Sequence, residues 1–522
     1  MLAMFPPTII DLMDSPADVS SMVFFLTIVA TLVIAVVFQV YNRLKPYPVD
    51  KSIPGPPRAP FWGILNFIMA NFEDWPNTVH QYSEKYQRTW GGPVPYLGTM
   101  RGAYFILTHE ENIEHILSKN FENYSQGVLF KEAFFELGGN GLIADDGATW
   151  LRHRKIASRM FSSSLLRESS KVTLKKVQEL SAVLKNATTT GKEVDIQDLF
   201  FRLTFEVTSI VGFGVDYGGI QNESQHPFAL AFDEIQGLLL SRMRDPLFQL
   251  KRYFNLTARE KRIRELKVVL DSNAKEVIQS RRRTAQDGKL GPDLLSRFID
   301  YANTHNDPMP DEELRDVIMN FLLGGRDTTA SALSWTFYEL SKHPEVVENV
   351  LEEANQICGT VSSGDGDTDG DYSYEAIGKL EYIHAVVMES LRLHAPVPND
   401  CKFAVNDDVL PDGTFVPKGA MVGYPPYAMG RNSRIWGSDA CEFKPSRFLN
   451  RKEPTPFQFP VFNAGRRLCL GKPMALNTLK LTVAYLVQRF EFEDLQGHNG
   501  MYDWHFIIQL KGGFPVQVRL RQ

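Results

Sequence analysis

Cysteine is scarce: Cys358, Cys401, Cys441 and Cys469 are the only four in 522 residues. They are too few and too scattered for a disulfide framework or a paired CxxC zinc site, which points to a reducing, cytosol-facing compartment. Basic charge is also in short supply. The formal net charge of -6 argues against a dedicated nucleic-acid binder, because phosphate binding normally needs a net basic surface. Residues 1–21 hold no Lys or Arg at all, but carry Asp11, Asp14 and Asp18. A secretory leader needs a basic start and a shorter apolar core, so a cleaved signal peptide fits poorly.

An apolar run follows that acidic start. Met22 to Val40 has no charged residue, and as a helix it spans about 28 Å, close to the bilayer core. Arg43, Lys45 and Lys51 come after it, so the positive-inside rule puts the N-terminus outside and the body in the cytosol. The expected organisation is a luminal segment 1–21, a transmembrane anchor 22–40, a basic, proline-rich linker 41–60 and one large domain 61–522. IPGPPRAP, Ile53 to Pro60, has four prolines and serves as a stiff spacer.

The body shows no second long apolar run and no internal repeat. Apolar positions at three- and four-residue spacing predict helices over 165–186, 258–285, 311–343 and 376–394. Strands are expected at Gly102–Thr108, on both sides of the PDG turn at Pro411–Gly413, and in the two alternating runs of HFIIQLKGGFPVQVRL. The fold class is therefore mainly α with a small β part. DGDTDGDYSYEA, Asp365 to Ala376, imitates a calcium loop but has Ala376 where a bidentate Glu is required. It reads as an acidic surface loop.

Four constellations carry chemistry. In FLLGGRDTTASALSW the adjacent Gly324 and Gly325 cost on the order of 2 kcal/mol inside a helix, so something requires them. Phe321, Gly325, Thr328 and Ala332 share a stripe. A bare Gly325 admits a flat ligand, the Thr328 hydroxyl opens the helical hydrogen bonding, and Asp327 beside it completes a proton relay. A surface aspartate next to two poorly helical threonines is an equal alternative on this segment alone. In ESLRLHAPVP, Glu389 and Arg392 lie on one helix face; as a buried pair they want a further partner, which Arg447 of FKPSRF offers. In GATWLRHRK, Trp150 and Arg154 sit four apart and suit a buried carboxylate, although a tryptophan stacked under an arginine is the commoner arrangement. In FNAGRRLCLG, Cys469 is flanked by arginines and glycines and followed by a predicted helix start, all of which favour a thiolate metal ligand. The stretch has neither phosphate-loop spacing nor a neighbouring base for nucleophilic catalysis.

Together these motifs resemble the cytochrome P450 family of haem-thiolate monooxygenases. Phe462, Gly465, Arg467, Cys469 and Gly471 match its FxxGxRxCxG loop; Gly324, Gly325, Asp327 and Thr328 match [AG]GxDT; Glu389 and Arg392 match ExxR. The resemblance implies a haem b cofactor with Cys469 as proximal thiolate on the iron, and O2 as cosubstrate with protons delivered through Asp327 and Thr328. It also implies that Trp150, Arg154 and Arg467 contact the haem propionates, and that Glu389, Arg392 and Arg447 form a structural triad. Arg466 and Ser446 depart from the common pattern, where proline and glutamate are frequent.

Electrons are expected from NADPH through a separate reductase, since the chain shows no flavin or dinucleotide domain; cytochrome b5 is a further partner. Arg281–Arg283 and Lys472 are basic enough for a docking face, although charge runs are usually solvated surface. LGGNGLIADDGATWLRHRK, NDDVLPDGTFVPKG and MGRNSRIWGSDACEFKPSRFL look like the microsomal fatty-acid and alkane hydroxylases of plants and fungi. That narrower resemblance implies ω-hydroxylation of long-chain fatty acids at the endoplasmic reticulum membrane, with LFKEAFFELGG, Leu129–Gly139, either lining an access channel or serving as ordinary core. A hydroperoxide isomerase or dehydratase of the same fold is the alternative that Asp327 and Thr328 speak against. A sterol or xenobiotic hydroxylase and a non-catalytic membrane-tethered haem or lipid binder are the others.

Overall fold

The computed structural model describes residues 24, 26–35, 49–95, 102–222, 225–245, 247–361, 370–449, 453–504 and 506–521. The segment 1–21, expected to be luminal, lies outside them, as does much of the expected anchor 22–40. Within the predicted span, residues 26–35 are helical with Leu26, Leu32 and Ile34 exposed. Among the described residues no helix is long and apolar enough to cross a membrane. Most of the acidic loop, residues 362–369, is also outside; Glu375, at its end, ion-pairs with Arg167.

Helices dominate, as the periodicity predicts. Ser163–Thr190 starts where Ser162 accepts the Leu165 N–H at 3.4 Å and stops at the left-handed Gly191. Ala258–Gln286 starts on the Thr257 hydroxyl. Ile196–Phe213 is buried nearly all round and therefore central. Asp195 caps it by accepting from the N–H groups of Gln197 and Asp198 at 3.0 and 3.3 Å. It packs on Thr328–Lys342, while Ser163–Thr190 packs on Lys472–Val487. These helices share one apolar core.

Two predicted helices are interrupted. The 311–343 helix is α-helical over Asp311–Leu322, widens to a π-turn over Leu323–Asp327, and resumes as Thr328–Lys342. The 376–394 segment is two helices, Tyr374–Gly378 and Glu381–Leu393. The second has its own start because the Glu353 carboxylate, from a different helix, accepts the N–H groups of Glu381, Tyr382 and Ile383 at 2.8, 2.7 and 2.8 Å.

The β part is small. Its largest sheet runs in the order Trp90–Pro93, Ala103–Ile106, Met421–Tyr424, Asp400–Ala404, Tyr124–Ser125, with one parallel pairing, between the second and third. Asp408–Val409 and Phe415–Val416 form the hairpin expected around the PDG turn. The two C-terminal runs both form strands but do not pair with each other. Ile508–Leu510 joins Tyr502–Trp504, whereas Pro515–Leu520 joins Phe490–Asp494 and Val194–Asp195. Gly512 and Gly513, both at φ +83, let the chain change sheets.

Candidate active site

Between the π-turn and the Cys469 loop lies a cavity of about 770 Å³. Phe321, Gly324, Gly325, Thr328 and Ala332 line one wall; Phe462, Arg467, Cys469 and Gly471 line the other, with Trp150 and Arg154 beside them. The π-turn follows from its sequence. Two glycines give the backbone latitude, and the Thr328 hydroxyl donates to the Gly324 carbonyl at 2.7 Å. A Cβ added at Gly324 meets nothing within 4 Å, whereas one at Gly325 would press Thr208 at 3.0 Å. The open space therefore lies at Gly324, and Gly325 is needed mainly for its contact with the neighbouring helix.

The cysteine loop is closed by the Cys469 N–H donating to the Phe462 carbonyl at 2.8 Å. Gly465, at φ +58, does not line the cavity. A Cβ there would sit 2.1 Å from the Leu117 carbonyl oxygen, so this glycine is a close-approach position and not a cavity contact. Cys469 opens onto the cavity but lies deep in the protein, and burial pushes its thiol above the ordinary value. The backbone N–H groups of Gly471 and Lys472, with the Arg154 and Lys472 cations, pull the other way. The helix Lys472–Val487 begins at this point, as the sequence predicts.

The arginines divide differently from expectation. Arg466 points away from the thiol: it pairs with Glu122 at 2.6 Å on the surface and lies over Phe121. Besides Lys472, the cation acting on the sulfur is Arg154, from the helix Gly147–Met160, which also donates to the Leu468 carbonyl. Trp150 stacks under a guanidinium, but that of Arg467 (4.3 Å) instead of Arg154. Arg467 spends three of its five N–H donors on Leu142 O, Asp145 O and the Asp146 carboxylate at 3.4, 2.8 and 2.6 Å.

Asp327 and Thr328 also diverge. Thr328 faces the cavity, and Asp327 does not. Asp327 is buried against Arg326 at 2.8 Å, and Arg326 reaches Asp233, whose side chain is 42% exposed. Asp327 Oδ2 is buried with no well-formed hydrogen bond; nearby Gln236 donates to the Phe232 carbonyl at 3.2 Å and still tempers the Asp327 carboxyl. Burial pushes the Asp327 carboxyl up to about 6 against the pull of Arg326. Sequence reasoning missed this Arg326–Asp233 link, because Asp233 lies 93 positions away.

Behind the cysteine loop the predicted triad assembles. Arg392 Nε and Nη2 donate to the two Glu389 oxygens, both at 2.7 Å, and Arg447 Nε donates to Glu389 at 3.2 Å. Ser446 does not prevent it. Of the Leu129–Gly139 run, Leu129, Phe130 and Phe134 line the cavity while Ala133 and Leu137 enter the core, so both expectations hold for parts of it.

The cytochrome P450 family model matches residues 53–511. The chain belongs to the cytochrome P450 family. It is 32% identical over 507 residues to cytochrome P450 704B1 of Arabidopsis thaliana, covering 90% of this chain and 95% of that protein. Cytochrome P450 94A2 of Vicia sativa is 33% identical over 492 residues, covering 90% and 92%. Among solved structures, the cytochrome P450DA heme domain superposes with a TM-score of 0.75 at 22% identity, covering 92% of this chain and 98% of that one, which establishes the fold. This P450 is a haem-thiolate monooxygenase using haem b, O2 and NADPH-derived electrons delivered by a reductase.

The cavity fits that cofactor on its own chemistry. It offers the Cys469 thiol, with N–H donors aimed at its sulfur, and, opposite, open space beside Gly324. A flat ring bearing two carboxylates also needs cations at its edge, and Arg154 and Arg467 line the same cavity. Haem bound there supplies the oxygen activation that these side chains cannot.

Proposed function

We propose that this P450 hydroxylates long-chain fatty acids at or near the terminal carbon, with Cys469 as the iron ligand. The single observation that carries the substrate class is the cavity: it continues past the Cys469 end into a wall of Met69, Phe72, Trp75, Leu129, Phe130 and Phe248. Such a wall favours a long apolar chain. Arg154, Arg467 and Trp150 hold the propionate edge. Incubating the reconstituted enzyme with fatty acids and alkanes of graded length, then locating the hydroxyl by mass spectrometry, tests the reading; turnover of sterols alone would sink it.

Asp327 is proposed as the proton store and Thr328 as the group that orients protons in the cavity, a water bridging the two. At pH 7, protonating a carboxyl whose pKa is about 6 costs about 1.4 kcal/mol, against about 4 kcal/mol at the ordinary value. Asp327→Asn is expected to lower product formation by about a hundredfold. The wild type should lose rate as pH rises above about 6, where Asp327 ionises, and the variant should show no such limb. The same raised value makes the folded chain the tighter proton binder. Its contribution to stability is therefore full below about pH 4 and lost as pH rises through about 6. Thr328→Ala is expected to divert electrons to peroxide by about tenfold, read as peroxide released per NADPH consumed. Unchanged coupling in this variant would remove Thr328 from the relay.

The proposed setting is the endoplasmic reticulum membrane, single-pass through residues 22–40, with domain 61–522 facing the cytosol and meeting P450 reductase and cytochrome b5. Trp62 and Met69, which line the cavity, are exposed at its outer end, and Leu247 and Leu250 are exposed apolar neighbours of cavity-lining Phe248 and Gln249. An apolar rim of this kind suits a lipid surface. Protease added outside sealed microsomes should digest the body; full protection of it would reverse the topology.

A further inference from the structure

Four arginines line the cavity: Arg154, Arg242, Arg244 and Arg467. Arg154 and Arg467 belong to its Cys469 end. Arg242 is fully buried, and all five of its N–H donors are used by Glu136, Glu260 and the Ala133 carbonyl. Arg244 differs from all three. Its side chain is 41% exposed and, among the described residues, its one ion partner, Glu73, is 3.6 Å away and 89% exposed, beyond hydrogen-bond range. Among the described residues no acceptor takes a hydrogen bond from its guanidinium.

The guanidinium is nevertheless held in place. It lies 4.6 Å from the centroid of Phe72, which itself stacks on Trp504 at 5.0 Å, and both rings line the cavity. The adjacent carboxylate does not neutralise it. Asp245 is bound by Lys251 at 2.9 Å and Arg259 at 2.8 Å, and these cations hold it ionised below its ordinary value despite burial. Gln249, also on the wall, is engaged by Glu132. The outer end of the cavity therefore presents, among the described residues, one under-used, pre-oriented cation beside the apolar wall.

We propose that Arg244 is the carboxylate-binding residue for the substrate and sets which carbon is oxidised; this rests on the fatty-acid reading above. A carboxylate on Arg244 gains a charge-assisted contact that the planar guanidinium fork can make bidentate, while the chain lies along the apolar wall with its far end toward Cys469. Holding the head at the mouth selects the distal carbons. Arg244 is a positioning residue: it touches the substrate head, far from the reacting carbon.

The test uses the full-length holoenzyme, with palmitate and methyl palmitate binding read from the substrate-induced shift of the ferric Soret band. Arg244→Met keeps an apolar side chain over Phe72 but removes the charge. It should weaken palmitate binding by about tenfold more than methyl palmitate binding, and products formed with the reductase should spread inward along the chain. Arg244→Lys should restore part of the preference, and Arg244→Glu should reverse it. Equal losses for acid and ester, or unchanged product positions in Arg244→Met, would overturn the assignment and leave the fatty-acid reading standing. Wild-type enzyme that binds neither palmitate nor its ester would overturn both.

Discussion

Replacing Cys469 with alanine is expected to abolish the thiolate-type Soret band of the reduced, carbon monoxide-treated protein. Hydroxylation should fall on the order of 10³-fold or more, the scale at which removal of a reaction-centre group is felt. Two cysteines line the cavity, Cys469 and Cys401, so the choice between them needs a physical reason. Burial, followed by the Asp400 charge, pushes the Cys401 thiol up to about 12. Both effects oppose a thiolate there. Cys469 opens onto the cavity while lying deep in the protein, and burial raises its thiol too, but there two backbone N–H groups and the cations of Arg154 and Lys472 pull back toward the ionised form. Only Cys469 is therefore equipped to exchange its proton for a metal. The substitution leaves the loop intact, because the Cys469 N–H to Phe462 carbonyl bond is backbone to backbone. Far-ultraviolet circular dichroism should match the wild type, and Cys401→Ala should keep the band. An unchanged band in Cys469→Ala would refute the assignment.

What could be read from the sequence was local, and what could not was the company each residue keeps. Gly324, Gly325 and Thr328 announce a disturbed helix because glycine and a back-bonding hydroxyl act within one turn, and the π-turn Leu323–Asp327 is where they predict it. Glu389 and Arg392, three apart on one helix, likewise pair as their spacing requires. The cation that acts most strongly on the Cys469 sulfur was not legible: adjacency suggested Arg466 and Arg467, but the 3-10 turn Gly465–Arg467 sends Arg466 outward, and Arg154 arrives from the distant helix Gly147–Met160. The same limit hides the Arg326–Asp233 link, the Glu353 cap on Glu381–Leu393 and the separation of the C-terminal strands into two sheets. Asp327 shows the limit most clearly. Being next to Thr328 in sequence places it on the adjacent helical position, and about 100° of rotation is enough to take it out of the cavity that Thr328 lines.

Arg392→Lys is expected to destabilise the fold by about 3–5 kcal/mol, the cost of breaking a buried, hydrogen-bonded ion pair. The reason lies in donor arithmetic. Arg392 has five N–H donors and the structure uses all of them: two on Glu389, and three on the carbonyls of Gly430, Ala440 and Glu442. Lysine supplies three donors from a single nitrogen, so at least two of these acceptors lose their partner in a site where Glu389 and Arg392 are both fully buried. The three carbonyls belong to the stretch that ends in Arg447, and through them Arg392 fastens it to the helix Glu381–Leu393. Trp436, under the Arg392 guanidinium at 5.1 Å, carries the restraint onward by packing on Phe448 and Phe459, just before the cysteine loop. Loss of Arg392 should therefore appear twice: as a lower urea midpoint of the apoprotein, and as reduced retention of haem at denaturant concentrations the wild type tolerates. Glu389→Gln should cost less than Glu389→Ala, because the amide oxygen still accepts from Arg392 or from the Lys444 N–H, now 2.7 Å from Glu389. An unchanged urea midpoint in Arg392→Lys would show that the triad is a local salt bridge and not the clamp that holds the segment leading to the cysteine loop.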